Sequence, residues 1–310
     1  MASVTLAESA KLAQDDLTAG IIENIITVNQ MFAELPFDGI SGNALAYNRE
    51  NILGDVITST VGTTFSGAGA GKAPATFTPV TSNLTTIMGD AEVNGMIQAT
   101  RSSDGNDQTA VQIASKAKSA GRKFQDMLIN GTGAGTEFDG LINLCAAGQK
   151  VGTGANGGAL SFAFLDELID LVTDKDGQVD YIVMHGRDIR KYKALLRAQG
   201  GSTADETVNL SSGGKVLGYS QVPIFRNDWI PINQTKGSGS NQSTIFAGTF
   251  DDGSRSHGLA GLTAESAAGI QVVDVGEAED SDDHIWRVKW YSGLALFSEK
   301  GLACADGITA

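Results

Sequence analysis

Side chains that commonly perform catalysis are few in this sequence and stand far apart. There are three histidines, His185, His257 and His284, and no two have the spacing of a metal-binding pair. The two cysteines, Cys145 and Cys304, form no Cys-x-x-Cys motif, and no Gly-x-Ser-x-Gly nucleophile motif occurs. The sequence therefore predicts no catalytic residue and no metal site.

Acidic stretches contain the oxygen ligands that calcium prefers, but their spacing favours turns. In DKDGQVD, which begins at Asp174, the glycine stands fourth, whereas a calcium loop needs a glycine sixth and a glutamate twelfth. We interpret Asp176-Gly177 as a turn between a helix and a strand. The acidic run 277–283 is typical of a solvated hairpin tip.

Glycine-rich segments resemble nucleotide-binding loops only in part. Gly71-Lys72 looks like the end of a phosphate loop, but Ser66 and Ala73 occupy the positions that require a glycine and a hydroxyl residue. The alternating glycines of 131–135 follow a predicted helix, whereas the dinucleotide fingerprint follows a strand. We therefore predict no cofactor.

Composition limits the function classes further. The 310 residues carry 22 basic and 36 acidic side chains, a net charge of −14, which argues against general nucleic-acid binding. No apolar run approaches the ~20 residues that span a bilayer, and the N-terminus lacks a signal-peptide pattern, so we expect a soluble protein made in the cytoplasm. We expect Cys145 and Cys304 to be buried free thiols, and whether they meet stays open.

The longest predicted element is a helix over residues 107–130. Asp107 and Asn106 are candidate N-caps, and Asn130-Gly131 is a candidate stop. One face carries residues at three- and four-residue spacing, small early and bulky late: Ala110, Ile113, Ala117, Gly121, Phe124 and Leu128. Such a helix is typical of a structural strut.

Two further segments have the character of projections. Strand-like runs over 44–58 and 75–88 flank the glycine-rich stretch 66–74 and predict a long hairpin with a mobile tip. Because an isolated hairpin is marginal in water, we expect it to need a partner surface. Residues 1–36 form an arm whose helical stripe packs on its own domain or on a neighbouring subunit: Leu17, Ile21, Ile25, Val28 and Phe32.

The remaining chain mixes helices and strands without regular alternation, which predicts an α+β fold. Helices are expected over 162–173, after the cap candidate Ser161, and over 187–199. Strands are expected over 179–184, 214–231 (two strands around Tyr219), 243–247, 270–275 and 284–297. Trp286 and Trp290 share one strand face, so we expect both in the core.

In this order, the elements resemble those of tailed-bacteriophage major capsid proteins with the Hong Kong 97-like fold. The stretch FQDMLINGTGAGTEFDGLINL, which ends at Leu144, resembles the end of the family's spine helix and the loop beyond it. VDYIVMHGRDIRKYKALL, from Val179, resembles a strand and helix of the axial domain. HIWRVKWYSGLALFSEKGLACADGI, from His284, resembles the closing strands of the peripheral domain.

The resemblance implies four regions. The N-terminal arm would be 1–43, and the extended E-loop hairpin 44–90. The peripheral domain would be 91–150 with 270–298, including the spine helix 107–130. The axial domain would be 151–269 with 299–310.

The implied function is structural: pentamers and hexamers that close into an icosahedral shell around a DNA genome, without sequence-specific DNA binding, in a virion assembled in the bacterial cytoplasm. The protein would not be an enzyme. Its arm and E-loop would contact neighbouring subunits through Leu17, Ile21, Ile25, Phe65, Lys72 and Phe77. Portal and possible decoration proteins would be partners. A separate scaffolding protein is expected because the arm begins almost at Met1.

One chemical feature of some family members is expected to be missing. Those members cross-link the E-loop to a neighbour through a lysine–asparagine isopeptide bond. Lys72 occupies the loop tip, but the segment 282–284 offers Asp-Asp-His and no asparagine. We therefore expect no covalent cross-link.

Two other functions remain as alternatives. The first is an encapsulin-type shell that stores an enzyme cargo. The second, of another class, is an acidic cytoplasmic enzyme with a site near His185, which directly follows the predicted buried strand 179–184.

Overall fold

The computed structural model describes residues 30–62, 71–101, 107–174, 177–198, 207–210 and 214–309. They form two compact units. The small unit contains Gly89–Ser119 and Val272–Val288, and the large unit contains 30–88, Ala120–Gln271 and the chain from Lys289 onward. No helix in the described ranges is long and apolar enough to cross a membrane.

The helices are α1 Gln30–Glu34, α2 Gly95–Arg101, α3 Gln108–Asn130, α4 Leu141–Leu144, α5 Phe162–Thr173 and α6 Gly186–Ala198. The strands are β1 Phe37–Ile40, β2 Ala44–Ile52, β3 Thr76–Asn83, β4 Thr85–Asn94, β5 Tyr181–Met184, β6 Thr207–Asn209, β7 Lys215–Tyr219, β8 Val222–Arg226, β9 Gln234–Lys236, β10 Gly239–Gly248, β11 Leu259–Ala264, β12 Gln271–Glu277, β13 Asp283–Leu296 and β14 Leu302–Ile308.

A seven-stranded sheet organises the large unit. Its order is β14-β10-β5-β8-β7-β6, with β9 paired to β10. Every residue of β5 is buried, because apolar clusters cover both faces of the sheet. Tyr181 and Val183 point into one cluster, and Ile182 and Met184 into the other. Burial on both sides explains why this strand is a continuous apolar run in the sequence.

Helices α5 and α6 belong to one of these two clusters. Ser161 caps α5 by accepting a hydrogen bond from the backbone N–H of Phe164, as its sequence position predicts. Leu165 and Leu168 are fully buried beneath the helix. The predicted helices 162–173 and 187–199 are thus confirmed to within a residue.

The other cluster receives the C-terminal half of α3. Phe124 is completely buried, and its ring lies 4.6 Å from that of Trp290. The predicted helix 107–130 is confirmed, and its shared face is buried only toward the C-terminal end. Ala110 is exposed, and the buried residues are concentrated near the C-terminus: Ala120, Phe124, Met127, Leu128 and Ile129.

The glycine-rich segment after α3 makes a tight return. Gly131 donates its N–H to Met127 O and accepts from the Gly140 N–H, both at 2.9 Å. A Cβ at Gly131 would overlap the Phe138 carbonyl, and Gly133 has φ +68°. These glycines therefore serve close backbone packing, as expected for a structural loop.

A second sheet in the large unit contains two strands that the sequence did not predict. β1 pairs in parallel with β11, which pairs antiparallel with the end of β13. A Cβ on Gly261 would stand 2.6 Å from the Phe37 ring, so glycine makes room for that side chain. The predicted strand 75–88 is divided at Leu84, because β4 leaves the hairpin and pairs with β13.

In the small unit, β12 and β4 both pair with β13, and an ion pair supports the strands. The Arg287 guanidinium donates two hydrogen bonds of 2.7 Å to the carboxylate of Asp90. Asp107 caps α3 by accepting from the Thr109 N–H. Trp286 is half-buried, so the prediction that both tryptophans are core residues holds for Trp290 alone.

Candidate assembly surfaces

The hairpin predicted around the glycine-rich stretch is formed by β2 and β3. Ala44 pairs with Asn83 and Tyr47 with Val80, in antiparallel register. The predicted strand 44–58 ends earlier, at Ile52, after an irregularity that follows Glu50.

The base of this hairpin is fixed to the large unit. The Tyr47 hydroxyl donates to Leu296 O at 2.7 Å, and the ring packs edge-on against Phe297 at 5.2 Å. Arg49 donates to Leu296 O at 2.5 Å and to Phe297 O at 3.1 Å, and it pairs with Glu299 at 3.1 Å. The expectation that the hairpin depends entirely on a partner surface is therefore wrong for its base.

The distal hairpin, defined as residues 52–62 and 71–77, has a different character. Its two arms still meet, since Asp55 donates its N–H to Ala73 O and accepts from the Gly71 N–H through its carboxylate. Its large apolar side chains are exposed, however, to 88% at Val56 and 62% at Phe77. The others are Ile52, Leu53, Ile57 and Val61.

This exposure is unusual for a soluble chain. Isolated apolar residues are common on protein surfaces, but a contiguous group along one segment marks an interaction site. Lys72 is also exposed and lies among these residues. The distal hairpin thus presents a mostly apolar surface on a base that its own subunit holds in place.

The other predicted contact residues divide into two groups. Phe77 and Lys72 lie on the distal hairpin, whereas Leu17, Ile21, Ile25 and Phe65 lie outside the described residues. Phe32, the last residue of the arm's stripe, packs within the large unit, with its ring 5.6 Å from Phe124 and 6.0 Å from Trp290.

The small unit has an exposed apolar strand that sequence reasoning missed. Val272, Val273 and Val275 of β12 are all substantially exposed, although Val272 lies on the opposite side of the strand from the other two. The sequence predicts residues 270–275, IQVVDV, as a strand and does not indicate that it is exposed. The run lacks the apolar–polar alternation of a strand with one solvent-facing side. This signal does not identify an exposed strand, because strands buried on both faces show the same pattern.

His185 holds a structural position. Its Nδ1 accepts the Arg187 backbone N–H at 2.9 Å, and its Nε2 lies 3.7 Å from the carboxylate of Asp228. Burial lowers the pKa of His185, which favours the neutral ring that such an acceptor requires. The side chain thereby fixes the start of α6.

The segment 282–284 is occupied by local contacts. Asp283 accepts from Asn94 at 3.0 Å and from Ser281 at 2.7 Å, and His284 contacts Asp274 at 2.7 Å. Within the described ranges, no group of three or more His, Cys, Asp or Glu side chains is arranged to hold a metal ion.

The architecture matches solved shell proteins over nearly the whole chain. The SrpI encapsulin of Synechococcus elongatus PCC 7942 gives a TM-score of 0.75 at 19% identity, covering 99% of this chain and 97% of that chain. The capsid of a native GTA particle gives 0.68 at 12%, covering 99% of each. The Microbacterium phage Oxtober96 structure gives 0.61 at 17%, again covering 99% of each. The fold is therefore the Hong Kong 97-like shell fold.

The family follows from the sequence. Residues 38–230, more than half of the chain, match the model of the SU10 major capsid protein family. No curated protein sequence matches. The chain belongs to the SU10 major capsid protein family, and it is a shell-forming capsid subunit of a bacteriophage.

Proposed function

We propose that this protein forms pentamers and hexamers that close into an icosahedral shell around the DNA genome of a tailed phage. The observation that carries this proposal is the distal hairpin, an exposed apolar segment on an anchored base. A subunit that joins a shell needs a surface of this kind, which stays available until a copy of the chain covers it.

The hairpin would act by burying its apolar residues on a neighbouring subunit. Burying one large apolar side chain contributes about 1.5–3 kcal/mol, so several together supply a meaningful contact even after the loss of chain entropy. Each contact is weak enough to reverse during assembly. After closure, every subunit is held by several contacts at once, and dissociation becomes slow.

The other regions of the chain would also contact neighbouring subunits. The arm, 1–43, would reach along a neighbour through Leu17, Ile21 and Ile25, while Phe65 and Lys72 would lie at the E-loop tip. The peripheral and axial domains would have the boundaries given above.

Charge and chemistry complete the proposal. A net charge of −14 would let packaged DNA slide past the shell, since acidic side chains repel phosphates. A separate scaffolding protein, a portal and a decoration protein are candidate partners, and assembly would take place in the bacterial cytoplasm. The protein would have no enzymatic activity and would form no Lys72 cross-link.

An encapsulin-type shell is the second candidate function, because the SrpI encapsulin has the same fold, but the family match favours the phage shell. Particle contents separate the two: a phage shell would hold DNA, and an encapsulin would hold a protein cargo.

The test of the hairpin is a pair of matched substitutions. Val56→Asn with Phe77→Asn should leave the stability of the unassembled subunit within about 0.5 kcal/mol, because both side chains are exposed. It should abolish closed shells in electron micrographs. The control, Val56→Ile with Phe77→Leu, keeps the apolar surface and should still assemble.

Normal shells from the asparagine variant would contradict the proposed role of the hairpin. For the arm, Ile21→Asp with Ile25→Asp should impair assembly more than subunit solubility. An insoluble double variant would place that stripe in the subunit's own core.

A further inference from the structure

The two cysteines, 159 positions apart in the chain, lie side by side in the large unit. The Sγ atoms of Cys145 and Cys304 are 2.6 Å apart, and the thiol of Cys145 donates to the sulfur of Cys304. Both are free thiols with 6% and 3% of their surface exposed.

Backbone contacts on both sides hold the pair together. Cys145 ends α4 and donates its N–H to Leu141 O at 3.2 Å. Cys304 lies within β14, and its carbonyl accepts from the Val151 N–H at 2.9 Å. The two sulfur atoms are therefore placed by regular structure and not by flexible loops.

A cavity of about 300 Å³ adjoins Cys304, one of the two thiol residues. Its lining includes Cys304, Lys150, Lys236 and Asp306. The lysine side chains are 41% and 30% exposed, so the cavity communicates with solvent. Cys145 lies behind Cys304 as seen from this cavity, because it contacts the Cys304 sulfur without lining the space.

The electrostatic surroundings distinguish the two thiols. The hydrogen bond from Cys145 lowers the pKa of Cys304, and the charges of Lys150 and Lys236 act in the same direction. The same hydrogen bond, together with burial, raises the pKa of Cys145. Cys304 is thus the better nucleophile, and Cys145 is placed to react second.

We propose that Cys145 and Cys304 form an oxidation site, which a small-molecule disulfide converts into an intrachain disulfide. In the first step Cys304 gives up its proton, and its sulfur attacks the small disulfide R′SSR′. One S–S bond forms, the original S–S bond breaks, and the departing R′S⁻ takes the proton. In the second step Cys145 loses its proton and attacks the Cys304 sulfur, releasing a second R′SH. The two protein thiols lose two electrons, and one R′SSR′ is reduced to two R′SH.

The bond would join α4 to β14 across most of the large unit's sequence. Closing a loop of this length restricts the unfolded chain strongly, so oxidation should raise the melting temperature of the subunit by roughly 5–10 °C. The consequence for a particle rests on the proposed function: the subunit would stay reduced in a host cytoplasm and close its disulfide in an oxidising medium.

The experiment treats the folded, unassembled subunit with bis(2-hydroxyethyl) disulfide, a neutral probe small enough for the cavity, and measures intact mass and tryptic peptides. The wild type should lose two hydrogen atoms and yield one peptide that links residues 145 and 304. Cys145→Ala should retain a hydroxyethylthio adduct on Cys304. Cys304→Ala should acquire none, because Cys145 does not line the cavity.

Three results would overturn the proposal. They are a wild type whose thiols stay free until denaturant is added, a wild type that retains the adduct, and a disulfide that joins two subunits. Because the experiment uses the unassembled subunit, its outcome does not depend on whether shells assemble. A failure of shell assembly would therefore leave this test intact.

Discussion

Replacing Arg49 with alanine should release the base of the β2–β3 hairpin from the large unit. The guanidinium is only 13% exposed and donates to two carbonyls, Leu296 O and Phe297 O. Hydrogen bonds donated by a charged group contribute about 1.5–3 kcal/mol each, which gives a gross loss of about 3–6 kcal/mol. In the variant, the Tyr47 hydroxyl still donates to Leu296 O. We therefore expect the free energy that holds the hairpin base on the large unit to fall by about 2–4 kcal/mol.

Amide hydrogen exchange of the unassembled subunit measures this cost locally. Residues 44–52 and 76–83 should exchange roughly 30- to 700-fold faster in Arg49→Ala than in the wild type, with little change elsewhere. The matched control is Glu299→Gln, which removes the ion pair and keeps both carbonyl contacts. Because Glu299 is 52% exposed, this control should cost less than about 1 kcal/mol.

Equal exchange rates in Arg49→Ala and Glu299→Gln would refute the reasoning. That result would mean that the hydrogen bonds from Arg49 to the two carbonyls do not stabilise the hairpin base. Arg49→Lys should be intermediate, since a single ammonium group cannot reproduce the two directed bonds of the guanidinium.

Three further predictions concern the core, the acid response and covalent chemistry. Phe124→Ala should lower the free energy of unfolding by about 3–5 kcal/mol in denaturant titrations, because a fully buried ring against Trp290 is lost, and a cost below about 1 kcal/mol would contradict the packing. The hydrogen bond from Arg287 lowers the pKa of Asp90 below 3.8, so its stabilisation is present above that pH and is lost as pH falls through the lower folded value. Asp90→Asn should therefore melt with a weaker pH dependence between about pH 5 and pH 2, and an unchanged acid profile would count against the pair. Denaturing gels of assembled particles should give one band at the monomer mass in both wild type and Lys72→Arg, whereas a ladder that disappears in the variant would establish a cross-link through that lysine.

Local signals in the sequence were sufficient for much of the fold. Ser161 and the periodicity after it predicted α5 within a residue, and the apolar run before His185 predicted β5. These elements are encoded by their own residues: a cap, a stripe or a run buried on both faces. The residue patterns alone predicted an α+β fold, and the resemblance to phage capsid proteins implied the Hong Kong 97-like fold.

Features that depend on distant contacts could not be predicted. β1 and β11 are short, contain glycine, and pair across more than two hundred residues, so neither has a strong strand pattern of its own. The hairpin base was expected to need a neighbour because the sequence does not reveal that Arg49 reaches Leu296 and Phe297.

The candidate assembly surfaces could be predicted only in part, because they also depend on distant contacts. Phe77 and Lys72 lie on an exposed hairpin, as expected from the strand pattern and the glycine-rich tip. The exposure of Val272 and its neighbours depends on which elements pack against β12. The pattern of six residues in the sequence does not indicate those elements. The proximity of Cys145 and Cys304 likewise follows from the packing of α4 beside β14.

Negative-stain electron microscopy of the purified, overexpressed chain tests the central claim most directly. The account predicts closed shells of uniform curvature, built from many copies of this subunit. A folded protein that stays monomeric at every concentration, with an intact circular dichroism spectrum and no particles on the grid, would contradict it.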